Sequence, residues 1–164
     1  MERKRVVVTG MGVVAANGVG VKEFSKALYE GKSGITFQED SAELNFRCQV
    51  AGVPPVTEEY LDKYFPNIFK EVLKNNAIRY GCLAGLEAWE SAGLTKSKER
   101  SSRNGMVFGA GAPGLDQFIL EPINKLNIGK GKTVGTTLVP QSMNSGTGAY
   151  LNQLLGLGGP VISN

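Results

Sequence analysis

The chain has 164 residues, of which 41% are hydrophobic and 20% are charged, and its formal net charge is +3. This length allows one domain with a hydrophobic core, and the composition is ordinary for a globular protein. The weak positive charge is spread along the chain and disfavours nucleic-acid binding, which usually gathers basic residues on one face. No apolar run reaches the roughly 18 residues that a membrane span needs, so we expect neither a span nor a signal peptide, and a cytoplasmic location.

Histidine and cysteine usage narrows the possible chemistry. The chain contains no histidine, which removes the commonest general base and the commonest metal ligand. The two cysteines, Cys48 and Cys82, are too few for a disulfide framework and lack metal-ligand spacing. Cys82 lies in an apolar helical run, which predicts a buried core thiol. We therefore expect no metal and no cofactor.

The first predicted elements are a strand, a glycine loop and a helix. The β-branched run at 5–9 is typical of a strand buried on both faces. Residues 10–20 carry four glycines and predict a loop. A helix is predicted over 21–30, because Val21, Phe24, Ala27 and Leu28 share one face, and Gly31 ends it.

The middle of the chain is predicted to be mostly helical. Residues 32–56 favour irregular or extended structure, and Thr57 is a predicted cap for a short helix that Pro66 ends. The longest helix is predicted over 67–92, with Gly93 as its terminator. Its apolar positions recur at helical spacing: Phe69, Val72, Leu73, Tyr80, Leu83, Leu86 and Trp89.

The remainder alternates short apolar segments with glycine turns. Strands are predicted near 105–109 and 160–164, and a helix near 141–155. A further helix is marked by Leu115, Phe118, Ile119 and Leu126, with a kink at Pro122. The alternation of strands and helices predicts an α/β fold, with connections long enough for parallel pairing of 5–9, 105–109 and 160–164.

The first glycine loop admits two interpretations. Gly10-Met-Gly12-Val-Val-Ala15 matches the glycine pattern of dinucleotide-binding loops, in which the helix begins within the glycines. Here Asn17, Gly18 and Gly20 follow and would interrupt such a helix. A tight turn after a strand is therefore the favoured interpretation, and a dinucleotide-binding protein is kept as the less favoured alternative.

Six segments together resemble the β-ketoacyl-acyl-carrier-protein synthases, the condensing enzymes of the thiolase superfamily. In chain order they are Arg5-Val-Val-Val-Thr-Gly-Met-Gly12, Gly31-Lys-Ser-Gly-Ile35, Ala84–Leu94, Val107-Phe-Gly-Ala-Gly111, Val139-Pro140 and Gly156-Leu-Gly-Gly-Pro-Val-Ile-Ser163. The resemblance implies a thiolase-like layered α/β fold with a mainly parallel sheet. It also implies an acyltransferase that condenses an acyl thioester with malonyl-carrier protein, with loss of carbon dioxide.

The resemblance also implies that the catalytic residues lie elsewhere. In the family, the strand that begins at the position of Pro160 delivers a cysteine at the N-terminus of a buried helix, which favours the thiolate. Two later histidines assist decarboxylation. We expect residues 1–164 to be the N-terminal part of such a domain, truncated before the catalytic cysteine and inert alone.

Four residues match positions that line the acyl pocket in the family. Ala112, followed by Pro113, matches the gate after the second strand, where a small side chain leaves more room. Leu138, Val139 and Met143 match the pocket floor, which lies partly across a dimer interface. Ordinary core packing of all four is the alternative, since buried apolar residues are the norm.

The resemblance implies two kinds of protein partner. In the family, an acidic acyl carrier protein docks on a surface that includes a basic stretch before the long helix, and Lys70 and Lys74 are the candidates in this chain. The family's M-D and full basic cluster are absent from Leu73-Lys-Asn-Asn-Ala-Ile78. This departure leaves open a chain-length-factor-like subunit, which pairs with a ketosynthase instead of forming the homodimer expected of the enzyme.

Overall fold

The computed structural model describes residues 4–96, 99–111 and 122–164. The chain forms two compact units. The first contains Met1–Leu61 and Leu83–Leu94, and the second contains Asp62–Cys82 and Thr95–Asn164.

The first unit consists of two antiparallel strand pairs with short helices. Its elements are β1 (Val14–Ala15), β2 (Gly18–Val19), α1 (Val21–Tyr29), β3 (Ile35–Phe37), α2 (Glu39–Glu43), β4 (Val50–Gly52), most of α3 (Glu58–Tyr64) and the second half of α5 (Asn76–Ser91). β1 pairs with β2, and β3 pairs with β4. The hairpin β1–β2 occupies part of the predicted 10–20 loop, and β3–β4 occupies the predicted irregular stretch. Ala27, Leu61, Leu83 and Leu86 form the buried centre of this unit.

Helix α1 matches its prediction, and the structure shows what holds its ends. Gly31 has φ +63°, the left-handed conformation of a helix stop, and Lys32 N donates to Ala27 O at 2.8 Å. At the other end, Glu87 Oε1 accepts from Val21 N at 2.8 Å. The carboxylate therefore satisfies one of the free amides of the first turn.

The second unit is built around one parallel strand pair. Its elements are the end of α3, α4 (Asn67–Val72), the first half of α5, β5 (Met106–Phe108), a helical stretch at 122–127, a 3₁₀ turn (Gly131–Thr133), α6 (Leu138–Ser142), α7 (Gly146–Leu155) and β6 (Val161–Ser163). β5 and β6 pair in parallel, with Met106 opposite Val161 and Phe108 opposite Ser163, and α7 packs against both. These pairs confirm the strands predicted near 105–109 and 160–164.

The prediction of a strand at 5–9 is wrong, because the structure has no strand there. No strand pairs with these residues, and Val6 and Val8 are 91% and 83% exposed. A β-branched run has the intrinsic preference for a strand, but a strand also needs a neighbour for its backbone hydrogen bonds. None of the described strands supplies one.

The single helix predicted over 67–92 is also wrong. It is divided into α4 and α5, because Leu73 is extended, with φ −84° and ψ 96°. The helix predicted near 141–155 is likewise divided into α6 and α7, with Met143 extended between them. At the first break the apolar periodicity continues from Phe69, Val72 and Leu73 to Tyr80 and Leu83, so periodicity alone does not reveal it.

Candidate functional site

A cleft of about 250 Å³ opens in the second unit, and it is the best candidate for a functional site among the described residues. Its walls come from the end of α4, from the residues just after it, from 122–137 and from α6. Lys74, Leu138 and Gln141 are among its lining residues. The cleft therefore unites one proposed carrier contact with one proposed acyl-pocket residue.

Lys74, which lies between α4 and α5, lines this cleft, and Arg79 binds carbonyl groups at the end of α4. Arg79 Nε donates to Leu73 O at 2.6 Å, and its terminal nitrogen donates to Lys70 O at 3.0 Å. The last carbonyls of a helix have no partner within the helix, so a cation placed there satisfies them and complements the helix dipole.

Helix α5 begins with a side-chain cap. Asn75 is fully buried, and its Oδ1 accepts from Ile78 N at 3.1 Å. Asparagine is among the preferred capping residues, because its side-chain oxygen accepts an amide of the first turn. The chain can therefore leave α4 and start α5 within three residues, which places Lys74 between the two helices.

Gln141 is the central polar residue of the cleft and is only 4% exposed. Its Oε1 accepts from Lys74 N at 2.8 Å and from Asn75 N at 3.1 Å. Its Nε2 donates to Val72 O at 3.0 Å, and its backbone oxygen accepts from Asn75 Nδ2 at 2.6 Å. One buried side chain thus satisfies three backbone groups of the helix break.

The predicted acyl-pocket residues do not all lie together. Leu138 is half-buried on the cleft wall, on the same side of α6 as Gln141 because the two are three positions apart. Val139 and Met143 are 61% and 50% exposed. Ala112 lies outside the described residues.

The two proposed carrier contacts differ in their surroundings. Lys70 forms an ion pair with Asp62, and its side chain is 23% exposed. Lys74 is exposed and stands at the cleft. Lys125 also lines the cleft, where its Nζ donates to Thr133 O at 3.1 Å. Lys74 is therefore the better placed of the two predicted residues to meet an acidic partner.

Neither cysteine stands in an activating environment. Cys82 is fully buried, as predicted, and burial raises the pKa of its thiol to about 12. Because the thiolate is the nucleophilic form, Cys82 is inert at neutral pH. Cys48 is exposed, and its Sγ contacts Val50 O at 3.4 Å. Across the described ranges, no group of three or more histidine, cysteine, aspartate or glutamate residues is arranged to hold a metal ion.

The glycines of the first loop have a packing role. A Cβ added to Gly12 would collide with Ala84 O and lie 2.7 Å from Ala88 N, and one added to Gly10 would lie 2.6 Å from Ala92 N. The loop backbone therefore lies directly on α5, where only glycine fits. The next helix starts at Val21 rather than within the glycines. This arrangement differs from a dinucleotide-binding loop, in which the glycines open the helix.

Two residues of the site were not singled out from the sequence. Asn75 carries a usable signal, since an asparagine just before a helical run is a typical cap. Gln141 carries no such signal, because its partners lie 66 to 69 residues away in the chain.

None of the helices in the described part of the chain has both the length and the apolar character to cross a membrane.

Comparisons with known proteins place this geometry in a family context. The model of the family described as "Beta-ketoacyl synthase, N-terminal domain" matches residues 3–164. The 3-oxoacyl-(acyl-carrier-protein) synthase 2 of Vibrio harveyi is 34% identical over 167 residues, covering 99% of this chain and 38% of that protein.

Two solved structures share the fold. The ishigamide ketosynthase/chain length factor superposes with a TM-score of 0.79 at 20% identity, covering 99% of this chain and 40% of its own. A type II PKS acyl-carrier protein in complex with its ketosynthase gives a TM-score of 0.70 at 21% identity, covering 98% of this chain and 42% of that one. These likenesses confirm the thiolase-like ketosynthase fold.

The chain spans 38% of the length of its Vibrio relative and 40% of the first of these structures. The family model matches the chain from residue 3 to residue 164. The chain therefore belongs to the β-ketoacyl synthase N-terminal domain family.

Proposed function

We propose that the whole protein is a β-ketoacyl-acyl-carrier-protein synthase, and that residues 1–164 are the N-terminal part of its condensing domain. The observation that carries the proposal is the 34% identity, across 99% of this chain, to a protein named 3-oxoacyl-(acyl-carrier-protein) synthase 2. The match of the family model to residues 3–164 supports the same assignment.

The proposed reaction has two steps. A cysteine thiolate attacks the acyl-carrier thioester, so that a new thioester forms on the enzyme and the carrier thiol leaves. Malonyl-carrier protein then loses carbon dioxide, and the resulting carbanion attacks the enzyme thioester. A carbon–carbon bond forms and the cysteine thiolate is released.

The catalytic groups are proposed to lie beyond residue 164. The chain has no histidine, and the raised pKa of Cys82, about 12, makes this buried thiol unsuitable as the nucleophile. Residues 1–164 by themselves are therefore proposed to be inert. Their contribution is to substrate binding and to assembly.

The 250 Å³ cleft supports a role in binding substrate. We assign Leu138 to the acyl-pocket wall and Lys74 to carrier recognition, since both line this cleft. Ala112 is retained as the proposed gate. Val139 and Met143, which are 61% and 50% exposed, are proposed to be covered by a second copy of the protein in a homodimer.

The mainly parallel sheet is proposed for the complete protein. The parallel pair β5–β6 leaves Val107 and Ile162 80% and 56% exposed, whereas parallel sheets are normally covered on both faces. Further strands and helices from outside this chain would extend the pair and cover it. A cytoplasmic location is part of the same proposal.

The test is a condensation assay with the full-length protein. The purified protein is incubated with acyl-carrier and malonyl-carrier substrates, and the 3-oxoacyl product and carbon dioxide are quantified by mass spectrometry and isotope release. The control is an alanine variant of the first cysteine after Asn164, and the expected result is turnover only in the unmodified protein.

The same experiment distinguishes the proposed enzyme from the alternative, a non-catalytic partner subunit. A chain-length-factor-like subunit would lack the cysteine, would release no product alone and would restore turnover only when mixed with a ketosynthase partner. Absence of turnover in a protein that does carry the cysteine and two later histidines would contradict the proposed enzyme.

A further inference from the structure

We infer that Gln141 is a positioning residue that fixes Lys74 relative to Leu138, and so links carrier recognition to the acyl-pocket wall. The inference rests on the proposed function of the cleft. In this inference Gln141 acts by holding Lys74, and Lys74 contacts the carrier protein.

The first step is the hydrogen bonding of the helix break. Gln141 Oε1 accepts from both Lys74 N and Asn75 N, at 2.8 and 3.1 Å, and Gln141 Nε2 donates to Val72 O at 3.0 Å. Two of these groups belong to the residues that follow α4 and the third to Val72, the last residue of α4, and all three would lose this partner if Gln141 were apolar. The backbone position of Lys74 therefore depends on Gln141.

The second step is the location of Gln141 on α6. Leu138 and Gln141 share one side of this helix, and both line the cleft. Asn75 Nδ2 donates to Gln141 O at 2.6 Å, so the helix backbone is held as well as the side chain. A shift of α6 would thus move Leu138 and Lys74 together.

The third step is the contrast between the two lysines. Lys70 is held by an ion pair with Asp62 and by its helix, independently of Gln141. Lys74 is exposed and reaches the cleft from an extended segment. Loss of Gln141 should therefore affect Lys74 and spare Lys70.

The experiment compares two acyl donors in the full-length protein. One is the acyl-carrier thioester, which meets Lys74, and the other is the same acyl group on a small thiol, which does not. In Gln141→Met, we expect KM for the carrier substrate to rise about two- to fivefold, the factor that corresponds to one exposed ionic contact. KM for the small thioester and kcat for both substrates should stay unchanged.

Three further variants make the result specific. Gln141→Glu keeps an oxygen facing the two amides and should restore the carrier KM, although it loses the donor to Val72 O. Lys74→Ala should raise the carrier KM alone and add little in the Gln141→Met background, because both changes remove the same contact. Gln153→Met, the same substitution at an exposed position, should have no effect.

The outcomes separate the inference from the function on which it rests. Equal losses on both substrates in Gln141→Met would mean a purely structural role and overturn the inference, as would additive effects of the Lys74 and Gln141 changes. No effect of Gln141→Met would overturn it too. Inactivity of the unmodified protein with both donors would refute the proposed function, and the inference with it.

Discussion

Asn75 donates two hydrogen bonds to Gln141, which lies 66 residues further along the chain. Asn75 Nδ2 donates to the backbone oxygen of Gln141 at 2.6 Å, and Gln141 Oε1 accepts from Asn75 N at 3.1 Å. Both side chains are buried, at 0% and 4% exposure. The pair joins the break between α4 and α5 to α6, and it uses the capping oxygen of Asn75 at the same time.

Replacing Asn75 by alanine should therefore destabilise the protein. The variant loses the cap of α5 and leaves Gln141 O without its buried donor, which together should lower the free energy of unfolding by about 1–3 kcal/mol. Urea unfolding of the full-length protein measures the change. Asn76→Ala, at the exposed neighbouring position, is the matched control. A loss in Asn75→Ala no larger than the loss in Asn76→Ala would contradict the role assigned to the Asn75 side chain.

Gly12→Ala should lower stability through backbone collision with α5. The new Cβ would collide with Ala84 O and would lie 2.7 Å from Ala88 N. Either the loop or the helix must therefore shift, which typically lowers the free energy of unfolding by about 1–3 kcal/mol. Gly135→Ala is the control, because its Cβ would lie 3.7 Å from Thr137 Oγ1, an ordinary contact. Thermal unfolding of both variants checks the difference.

The same loop gives a test of the dinucleotide alternative. We expect no saturable binding of NAD(P) to the full-length protein by calorimetric titration, since the helix after the glycines starts only at Val21. Saturable binding that Gly12→Asp abolishes would contradict the packing role and support the alternative.

Burial of Cys82 predicts a loss of stability at alkaline pH. The pKa of this thiol is raised from 9.0 to about 12, so between these values the unfolded chain loses a proton that the folded protein keeps. The free energy of unfolding should then fall as pH rises, by at most about 1.4 kcal/mol per pH unit. Cys82→Ala should remove this part of the slope, measured by urea unfolding from pH 8.5 upwards.

Two comparisons make the alkaline measurement specific. The pKa of Tyr150 is also raised, first by burial and then by the charge of Cys82, and its contribution has the same sign. Tyr150 and its burial are retained in Cys82→Ala, so the difference between the two slopes reports on the Cys82 thiol together with the effect of its charge on Tyr150. Cys48→Ala, which changes an exposed cysteine, should keep the slope of the unmodified protein. An unchanged slope in Cys82→Ala would contradict the prediction.

The gate proposed at Ala112 predicts a change in chain-length preference. Ala112→Phe should narrow the pocket, and forcing a bulky side chain into a packed site typically costs about 1–3 kcal/mol. The value of kcat/KM should fall for long acyl-carrier substrates, which need the full depth of the pocket, and stay unchanged for short ones. Measured as kcat/KM, equal losses on both would mean general damage, and no loss on either would place Ala112 outside the pocket.

Local signals in the sequence determined several elements correctly. The helix over 21–30 with its stop at Gly31, the cap at Thr57 and the strands near 105–109 and 160–164 all agree with the structure; Tyr60 N donates to Thr57 Oγ1 at 3.2 Å. Each depends on side-chain periodicity or on the conformational preference of one residue. Such preferences act within a few positions along the chain, so the sequence alone is enough to predict them.

The tertiary structure alone decided where elements break and which residues meet. Residues 5–9 have the composition of a strand, but a strand forms only where a neighbour completes its backbone hydrogen bonds. The break after α4 is stabilised by Gln141, whose partners are 66 to 69 residues away, and the same contacts bring Lys74 and Leu138 to one cleft. These outcomes depend on contacts between distant parts of the chain, and no local pattern of residues encodes them.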